Sequence, residues 1–359
     1  MKKMMKKNAL ILILLACVFS LNAQEKYTAP ALSNPDSWSM VLVPDPQTYV
    51  KFSRNQGILN MMTSWIGENA QKLNIGFVLC TGDLVEQNNL LNPNGSSANQ
   101  NSFQQWEAVS SAFGRLDGVV PYFLATGNHD FGILSAENRR THFDEYFHPN
   151  KNILNKQMLR EVGLTEEGIP TLRNATYEYC SPQGKKILVV VLEFAPRNAA
   201  IEWAKGVISQ EKYKDHEVIL LTHSYMDSDN NHIVKEGYKV EDANYGAALF
   251  EKLVKPSTNI RMVFAGHIGA PDDAKKHIAF RTDKNAAGKT VQQMVFNAQA
   301  MGGGWHGNGG DGWLRILEFL PDGKTVKVKT FSPFFASSPS TRHMAWRTAD
   351  YDEFTFTLD

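Results

Sequence analysis

Cysteine is scarce in this chain, and so is any excess of charge. Three cysteines in 359 residues are too few for the disulfide framework of a small secreted scaffold. Cys80 and Cys180 both lie in apolar, strand-like runs, which favours two buried free thiols and leaves a disulfide between them as the alternative. Basic and acidic residues number 37 each, so no nucleic-acid surface is expected.

Long hydrophobic runs are also missing, except at the start of the chain. Residues 1–23 place four lysines before an apolar stretch that ends near Ala23, which predicts a signal peptide cleaved after that residue. The alternative is a lipoprotein signal in which Cys17 is lipidated. No later segment approaches the roughly 20 apolar residues that a membrane span needs. We therefore expect an exported protein, periplasmic or secreted, that is mildly acidic once the four lysines are removed.

No linker rich in proline, serine or charge divides the remainder, so residues 24–359 are expected to form a single domain.

Five short apolar runs are continuous rather than alternating, which predicts strands buried on both faces. They are SMVLV (39–43), GFVLC (76–80), PYFLA (121–125), VILLT (218–222) and RMVFA (261–265). Helical spacing between the first three predicts βαβ units and the α/β class.

Two further stretches are expected to be mainly β. A hairpin is predicted from TYEYC (176–180) and KKILVVVLEF (185–194). From about residue 275 the chain is β-rich, which suggests a second sheet packed on the first.

Polar side chains follow each of the five apolar runs. They are Asp45 with Gln47, Gly82-Asp83, Gly127-Asn128-His129-Asp130, His223 and Gly266-His267. Functional groups gather at the carboxyl ends of parallel strands, so we expect all of them at one sheet edge. Any one of these residues alone is typical of a turn or a cap. Together they are the oxygen and imidazole ligands that divalent transition metals accept.

These motifs resemble those of the calcineurin-like metallophosphoesterases, because GDLVE (82–86), GNHD (127–130), THS (222–224) and GH (266–267) occur in that order at the strand ends. The resemblance implies a four-layer α/β/β/α sandwich of two mixed sheets flanked by helices. It also implies two metals bridged by a carboxylate and a hydroxide. By position, Asp83 would bridge, and Asn128, His223 and His267 would complete one metal. Asp45 and residue 47 would bind the other, while His129 would act near the leaving group with Asp130 orienting it.

Two departures from the family pattern fall on the same metal. Gln47 stands where the family usually has histidine, although one branch of the family has Asp-Pro-Gln as its first motif. Gly269 stands where the family has a second histidine. Glycine cannot ligate through a side chain, so either another group fills the gap or the site holds one metal. The glycine-rich segment 301–313 offers His306 and Asp311 as replacements, and a flexible surface loop is the alternative reading.

The expected function is hydrolysis of a phosphate monoester or diester by a metal-activated hydroxide, with one or two ions of Mn, Fe or Zn. The substrate would be a small molecule or a phosphorylated protein. The alternative is a catalytically weakened relative that binds a phosphorylated or glycan ligand in the same crevice. Four aromatic residues near the motifs are candidates for a substrate pocket: Tyr49, Tyr225, Trp305 and Trp313. The sequence does not indicate an oligomeric state.

Overall fold

The computed structural model describes residues 27–93 and 98–359. The predicted signal peptide and Cys17 lie outside these residues. The strands are β1 Trp38–Val43, β2 Ile75–Cys80, β3 Tyr122–Leu124, β4 Leu159–Leu164, β5 Pro170–Cys180, β6 Lys186–Val191, β7 Glu217–Leu221, β8 Ile260–Ala265, β9 Ile278–Lys284, β10 Thr290–Phe296, β11 Leu314–Phe319, β12 Thr325–Phe331, β13 Trp346–Arg347 and β14 Phe354–Thr357.

The helices are mostly short, and two of them flank the first strands. They are α1 Gln47–Val50, α2 Gln56–Asn69, α3 Ser102–Gly114, α4 Phe143–Tyr146, α5 Ile153–Met158, α6 Asn198–Ile208, α7 Gly246–Leu249, which continues as a π-helical turn Phe250–Val254, and α8 Pro333–Ala336. Within the described part of the chain, none of the helices combines the length and apolar character needed to cross a bilayer.

Two mixed sheets of seven strands each form the centre of the fold. The first has the order β13-β12-β11-β1-β2-β3, with β14 paired to β12, and β1, β2 and β3 run parallel. The second has the order β4-β5-β6-β7-β8-β10-β9, with β6, β7, β8 and β10 parallel. This is the predicted α/β architecture of two mixed sheets flanked by helices.

The strands read as continuous apolar runs because each sheet is covered on both faces. In β1, Met40 and Leu42 belong to the core between the two sheets. The alternate residues Val41 and Val43 face the helices α2 and α3 instead. All six residues of β1 are buried. The second sheet behaves in the same way, with α6 packed on its outer face.

The helix α3 shows how local sequence fixes one of these outer elements. Asn101 accepts a hydrogen bond from the Gln104 amide at 2.9 Å, and the Gln104 side chain accepts one from the Asn101 amide, which forms a capping box. Trp106, Val109 and Phe113 recur at helical spacing and are fully buried. Burial of side chains this large stabilises the packing by roughly 1.5–3 kcal/mol each.

Three sequence expectations are wrong in detail. The five apolar strands do not share one sheet: β1, β2 and β3 lie in the first, and β7 and β8 in the second. The strands after residue 275 do not form a sheet of their own, because β9 and β10 extend the second sheet and β11–β14 extend the first. Cys80 is buried but Cys180 is exposed, and both thiols are free.

Candidate metal centre

The sequence motifs meet where the carboxyl ends of the two sheets face each other. Asp83 and Asn128 follow β2 and β3 of the first sheet. His223 and His267 follow β7 and β8 of the second. Ligand atoms of Asp83, His223 and His267 all lie within 4.8 Å of one another. The arrangement is therefore a seam between two sheets, which differs from the single edge expected from the sequence.

The amide of Asn128 completes this cluster. Its Oδ1 lies 3.1 Å from His223 Nε2 and 3.0 Å from His267 Nδ1. Its Nδ2 donates to Ser135 Oγ at 2.9 Å, which turns the oxygen toward the imidazoles. His223 Nε2 is also 3.3 Å from Asp83 Oδ2 and 3.2 Å from His267 Nδ1. One carboxylate, one amide oxygen and two imidazole nitrogens thus converge, a donor set that suits a divalent transition metal.

Asp45 and Gln47 lie beside this cluster, after β1 of the first sheet. Asp45 is fully buried and accepts hydrogen bonds from Thr81 Oγ1 at 2.6 Å and the His267 amide at 2.8 Å. Gln47 Nε2 donates to Asp83 Oδ2 at 3.0 Å. The Gln47 Oε1 is buried without a hydrogen-bond partner in the described structure. A buried carbonyl oxygen without a partner is unfavourable, and a cation beside Asp83 would satisfy it.

His129 is held at the rim of the cluster by backbone contacts. Its amide donates to Asp83 Oδ1 at 2.9 Å, and its Nδ1 lies 2.7 Å from the Glu86 carbonyl oxygen. The Glu86 carboxylate in turn pairs with the buried ammonium of Lys51, with 3.2 Å between Nζ and Oε2. With Nδ1 directed at a carbonyl, the ring presents Nε2 for other interactions.

Asp130 does not orient the His129 ring by a hydrogen bond, although the family resemblance implied that it orients this residue. Its carboxylate accepts from the Gly127 amide at 2.7 Å and the Val85 amide at 3.0 Å. The Glu86 carbonyl, rather than Asp130, therefore orients the ring. Asp130 instead ties the turn after β3 to the turn after β2.

Opposite charges dominate the electrostatics of the cluster. Burial alone would lower the pKa of His223, but the carboxylates of Asp83 and Asp45 raise it to about 10. Burial would likewise raise the pKa of Asp83, yet His223 and His129 hold it below its usual range. Burial raises the pKa of Asp130 to about 7, and the neighbouring Asp83 adds to this. Metal-free, the centre therefore carries a proton on His223 at neutral pH.

The backbone at the ligands is strained, and nearby glycines leave room for them. Asp83 and His267 adopt positive φ angles of 46° and 78°, which cost non-glycine residues on the order of 1–3 kcal/mol each. A Cβ atom on Gly127 would collide with Asp83 Oδ1, and one on Gly266 would collide with Asp45 Oδ1. The glycines that precede the motif residues are thus required by close approach of the carboxylates.

Two predicted replacements for the missing histidine lie elsewhere. His306 is exposed, its ring lies edge-on to Phe52 with centroids 6.1 Å apart, and its carbonyl accepts from Arg54 Nη2 at 2.7 Å. In the described residues, the His306 ring makes no hydrogen bond to the cluster. Asp311 Oδ1 accepts from Asn308 Nδ2 at 2.6 Å and so braces the glycine-rich loop itself.

A side chain at position 269, where the family usually has a second histidine, would collide with the ring of His277. A Cβ atom on Gly269 would lie 2.5 Å from the His277 ring carbon Cε1. The His277 ring is buried, and its Nε2 lies 2.9 Å from the Ala270 carbonyl oxygen. Burial lowers the pKa of His277 to about 4, so the ring is neutral. His277 therefore occupies the space that a side chain at 269 would need.

Sequence reasoning missed three residues of the site. Glu236 comes from the irregular segment between β7 and α7, and its Oε1 lies 2.6 Å from His267 Nε2. No local pattern marks this carboxylate. Asn297 and Gln299 follow β10, and Asn297 Nδ2 donates to Asp45 Oδ2 at 2.6 Å. The polar residues Asn297 and Gln299 directly after an apolar strand are the same kind of signal as the polar residues after the five recognised runs.

The aromatic residues expected near the substrate are mostly core residues. Tyr225 is fully buried with its hydroxyl on Gln293, Tyr49 and Trp313 are also buried, and Trp305 is exposed. The rings that flank the metal centre are others. Phe194 lies 5.9 Å from the His223 ring, and Tyr238 lies 6.2 Å from the His267 ring.

Residues 42–271 match the calcineurin-like phosphoesterase family. The chain belongs to this family. The resemblance seen in the sequence motifs is thereby confirmed. This calcineurin-like phosphoesterase is 26% identical over 339 residues to the uncharacterized protein YvnB of Bacillus subtilis. That match covers 90% of this chain but 22% of YvnB, so the chain spans about a fifth of the relative's length.

Solved structures similar to this phosphoesterase are distant in sequence. A dimetal phosphatase from Danio rerio has a TM-score of 0.46 at 10% identity, and the match covers 91% of this chain and 100% of that chain. The protein TT1561 of Thermus thermophilus has a TM-score of 0.40 at 12% identity, covering 83% and 99%. GAP50, described as the anchor in the inner membrane complex of Plasmodium, has a TM-score of 0.39 at 12% identity, covering 90% and 89%.

Proposed function

We propose that this phosphoesterase hydrolyses a phosphate monoester or diester with one or two divalent ions held at the seam between the sheets. One observation carries the proposal. Carboxylate, amide and imidazole groups from both sheets converge on one buried cluster, and the unpartnered Gln47 Oε1 lies in the side chain that contacts Asp83. Such a donor set binds Mn, Fe or Zn ions.

The contacts favour a division of the ligands into two positions. Asp83, Asn128, His223 and His267 would hold one ion, since His223 Nε2 lies 3.1–3.3 Å from a donor atom of each of the other three. Asp45 and Gln47 would hold the other, with Asp83 shared between the two. His306 is left out of this set because its ring packs on Phe52.

The chain's own groups would position the phosphate ester and its leaving group. Bound divalent ions would supply positive charge for the phosphate oxygens and lower the pKa of an attacking water. The raised pKa of His129 favours its charged form, because Asp83 and Glu86 outweigh the effect of burial on the ring. We assign His129 the donation of a proton or hydrogen bond to the leaving oxygen through Nε2. Asp130 would support it indirectly, by fixing the turn that carries it.

The finer aspects of the function rest on the sequence. The pattern of residues 1–23 supports export to the periplasm or medium, with lipidation at Cys17 as the alternative form of export. Balanced charge supports a small-molecule or protein phosphate ester over a nucleic acid.

The test is hydrolysis of a panel of phosphate monoesters and diesters by protein loaded with Mn²⁺ or Zn²⁺. We expect turnover that chelation removes and metal restores. Asp83→Asn should abolish both bound metal and turnover, whereas Asp117→Asn, the same change at a half-buried aspartate bonded to Tyr122, should preserve both. Hydrolysis by Asp83→Asn at the unmodified rate, or by fully chelated protein, would contradict the proposal.

A further inference from the structure

The metal position proposed at Asp45 and Gln47 has fewer side-chain ligands than its neighbour, and the chain offers another that the family motifs do not contain. Asp45, Asp83 and Gln47 supply three side chains, and Gly269 supplies none. We propose that Gln299 contributes its amide oxygen to this position, in place of the histidine that His277 excludes from position 269. The inference rests on the metal-dependent function proposed above.

The hydrogen bonds of Gln299 orient its amide. Its Nε2 donates to the His267 carbonyl oxygen at 3.0 Å, so the amide nitrogen is committed to the backbone of a ligand. The residue is 3% exposed, and its Oε1 is buried with no hydrogen-bond partner in the described structure. A buried amide oxygen left unpaired costs about 1–3 kcal/mol, which a bound cation would offset.

Two short routes of hydrogen bonds connect Gln299 to Asp45. The first passes through His267, whose amide donates to Asp45 Oδ2 and whose carbonyl accepts from Gln299 Nε2. The second passes through Asn297, whose Nδ2 donates to Asp45 Oδ2 and whose Oδ1 accepts from the backbone N–H of Gln299 at 3.1 Å. The first route thus fixes the Gln299 side chain on the backbone of His267, and the second holds the Gln299 backbone beside Asp45.

Asn297 does not fill the same role. Its Oδ1 already accepts two backbone amides, those of Ala298 and Gln299. Its side chain therefore positions Asp45 through the nitrogen, and no oxygen is left to bind an ion. Gln47 and Gln299 are the residues near Asp45 whose amide oxygens are both buried and unpaired in the described part of the chain.

The resulting donor set has a chemical consequence. Carboxylate oxygens of Asp45 and Asp83 with the amide oxygens of Gln47 and Gln299 form an all-oxygen position, which suits Mn²⁺ or Mg²⁺. The neighbouring position, with two imidazoles, suits softer ions such as Zn²⁺. The two positions would then differ in affinity, and Mn²⁺ alone would titrate them in two steps.

The experiment is a titration of metal-depleted protein with Mn²⁺, in which electron paramagnetic resonance measures the concentration of the free ion. The wild type should bind two equivalents. Gln299→Met, which keeps the volume but removes both the oxygen and the nitrogen of the side-chain amide, should weaken one binding step on the order of 10–100-fold and leave the other unchanged. Gln299→Glu, which restores an oxygen ligand with a negative charge, should restore the affinity of the weakened step. Gln292→Met is the matched control, because the nitrogen and oxygen of the Gln292 amide make hydrogen bonds to Thr357 and Thr282, which are not residues of the metal centre.

The outcomes separate this inference from the proposed function. Two unchanged steps in Gln299→Met would overturn the role of Gln299 while leaving the hydrolase intact. A single equivalent in the wild type would overturn it as well. Loss of both steps in Gln299→Met, with Gln299→Glu failing to recover either, would assign Gln299 a structural role and also refute the inference. Absence of all Mn²⁺ binding in the wild type would refute the metal-dependent function itself.

Discussion

Removal of the Glu236 carboxylate should weaken metal binding without unfolding the protein. Glu236 Oε1 lies 2.6 Å from His267 Nε2, and Ser224 Oγ donates to the other oxygen at 2.5 Å. Burial alone would raise the pKa of Glu236, but the hydrogen bond and charge of His267 lower it, so the residue is ionised at neutral pH. The carboxylate thus fixes a proton on Nε2 and leaves the Nδ1 lone pair for a metal.

The expected loss of metal affinity depends on which properties of the Glu236 side chain each substitution retains. Glu236→Gln retains an acceptor for Nε2 but loses the charge, so we expect about a tenfold loss of metal affinity, or about 1.4 kcal/mol. Glu236→Ala removes the acceptor as well, and we expect a loss approaching 100-fold, or about 2.8 kcal/mol. We therefore expect Glu236→Gln to bind the metal more tightly than Glu236→Ala.

The assay is competition for Zn²⁺ against a chromophoric chelator. The control is Glu241→Gln, which neutralises an exposed carboxylate of the same segment without touching His267. Thermal unfolding of the metal-free proteins checks that the fold is retained. Wild-type affinity in both Glu236 variants, or an equal loss in Glu241→Gln, would refute the reasoning.

Three further predictions concern catalysis, proton linkage and stability. His129→Gln should lower kcat by about 10²–10⁴-fold on alkyl phosphates but less on p-nitrophenyl phosphate, whose leaving group needs no proton, with metal content unchanged; equal losses on both substrates would contradict a role as acid. Because the pKa of metal-free His223 is raised to about 10, a metal must displace its proton, so affinity should rise with pH below that value and level off above it. Calorimetry in two buffers of different ionisation enthalpy measures the displaced proton, and zero release contradicts the assignment. Arg139 donates to the carbonyls of Phe194, Ala195 and Glu241 at 2.8–3.1 Å, so Arg139→Met should lower the free energy of unfolding by about 3 kcal/mol in urea denaturation, while exposed Arg140→Met should change it little.

The local chemistry of the chain determined much of the fold and most of the candidate site. Continuous apolar runs such as β1 predicted strands buried on both faces, because alternate residues must find a core on each side. A glycine followed by a carboxylate or a histidine at the end of such a run marked Asp83 and His267 as candidate ligands. This pattern can be recognised locally, because the backbone turn at each position is set by a few neighbouring residues. Strand identity and motif position are therefore readable from short stretches.

Tertiary structure alone decided how these pieces meet. Nothing in the runs says that β7 and β8 pair in a different sheet from β1, because strand pairing depends on contacts between distant segments. The same holds for Glu236, which lies in an irregular segment, and for His277, whose ring fills the space beside Gly269. The same holds for Asp130: the family resemblance implied that it orients His129, but the backbone turn directs its carboxylate to the amides of Gly127 and Val85 instead. Local sequence names the residues that can act as ligands, and only the packing of two sheets against each other determines which atoms lie within bonding distance.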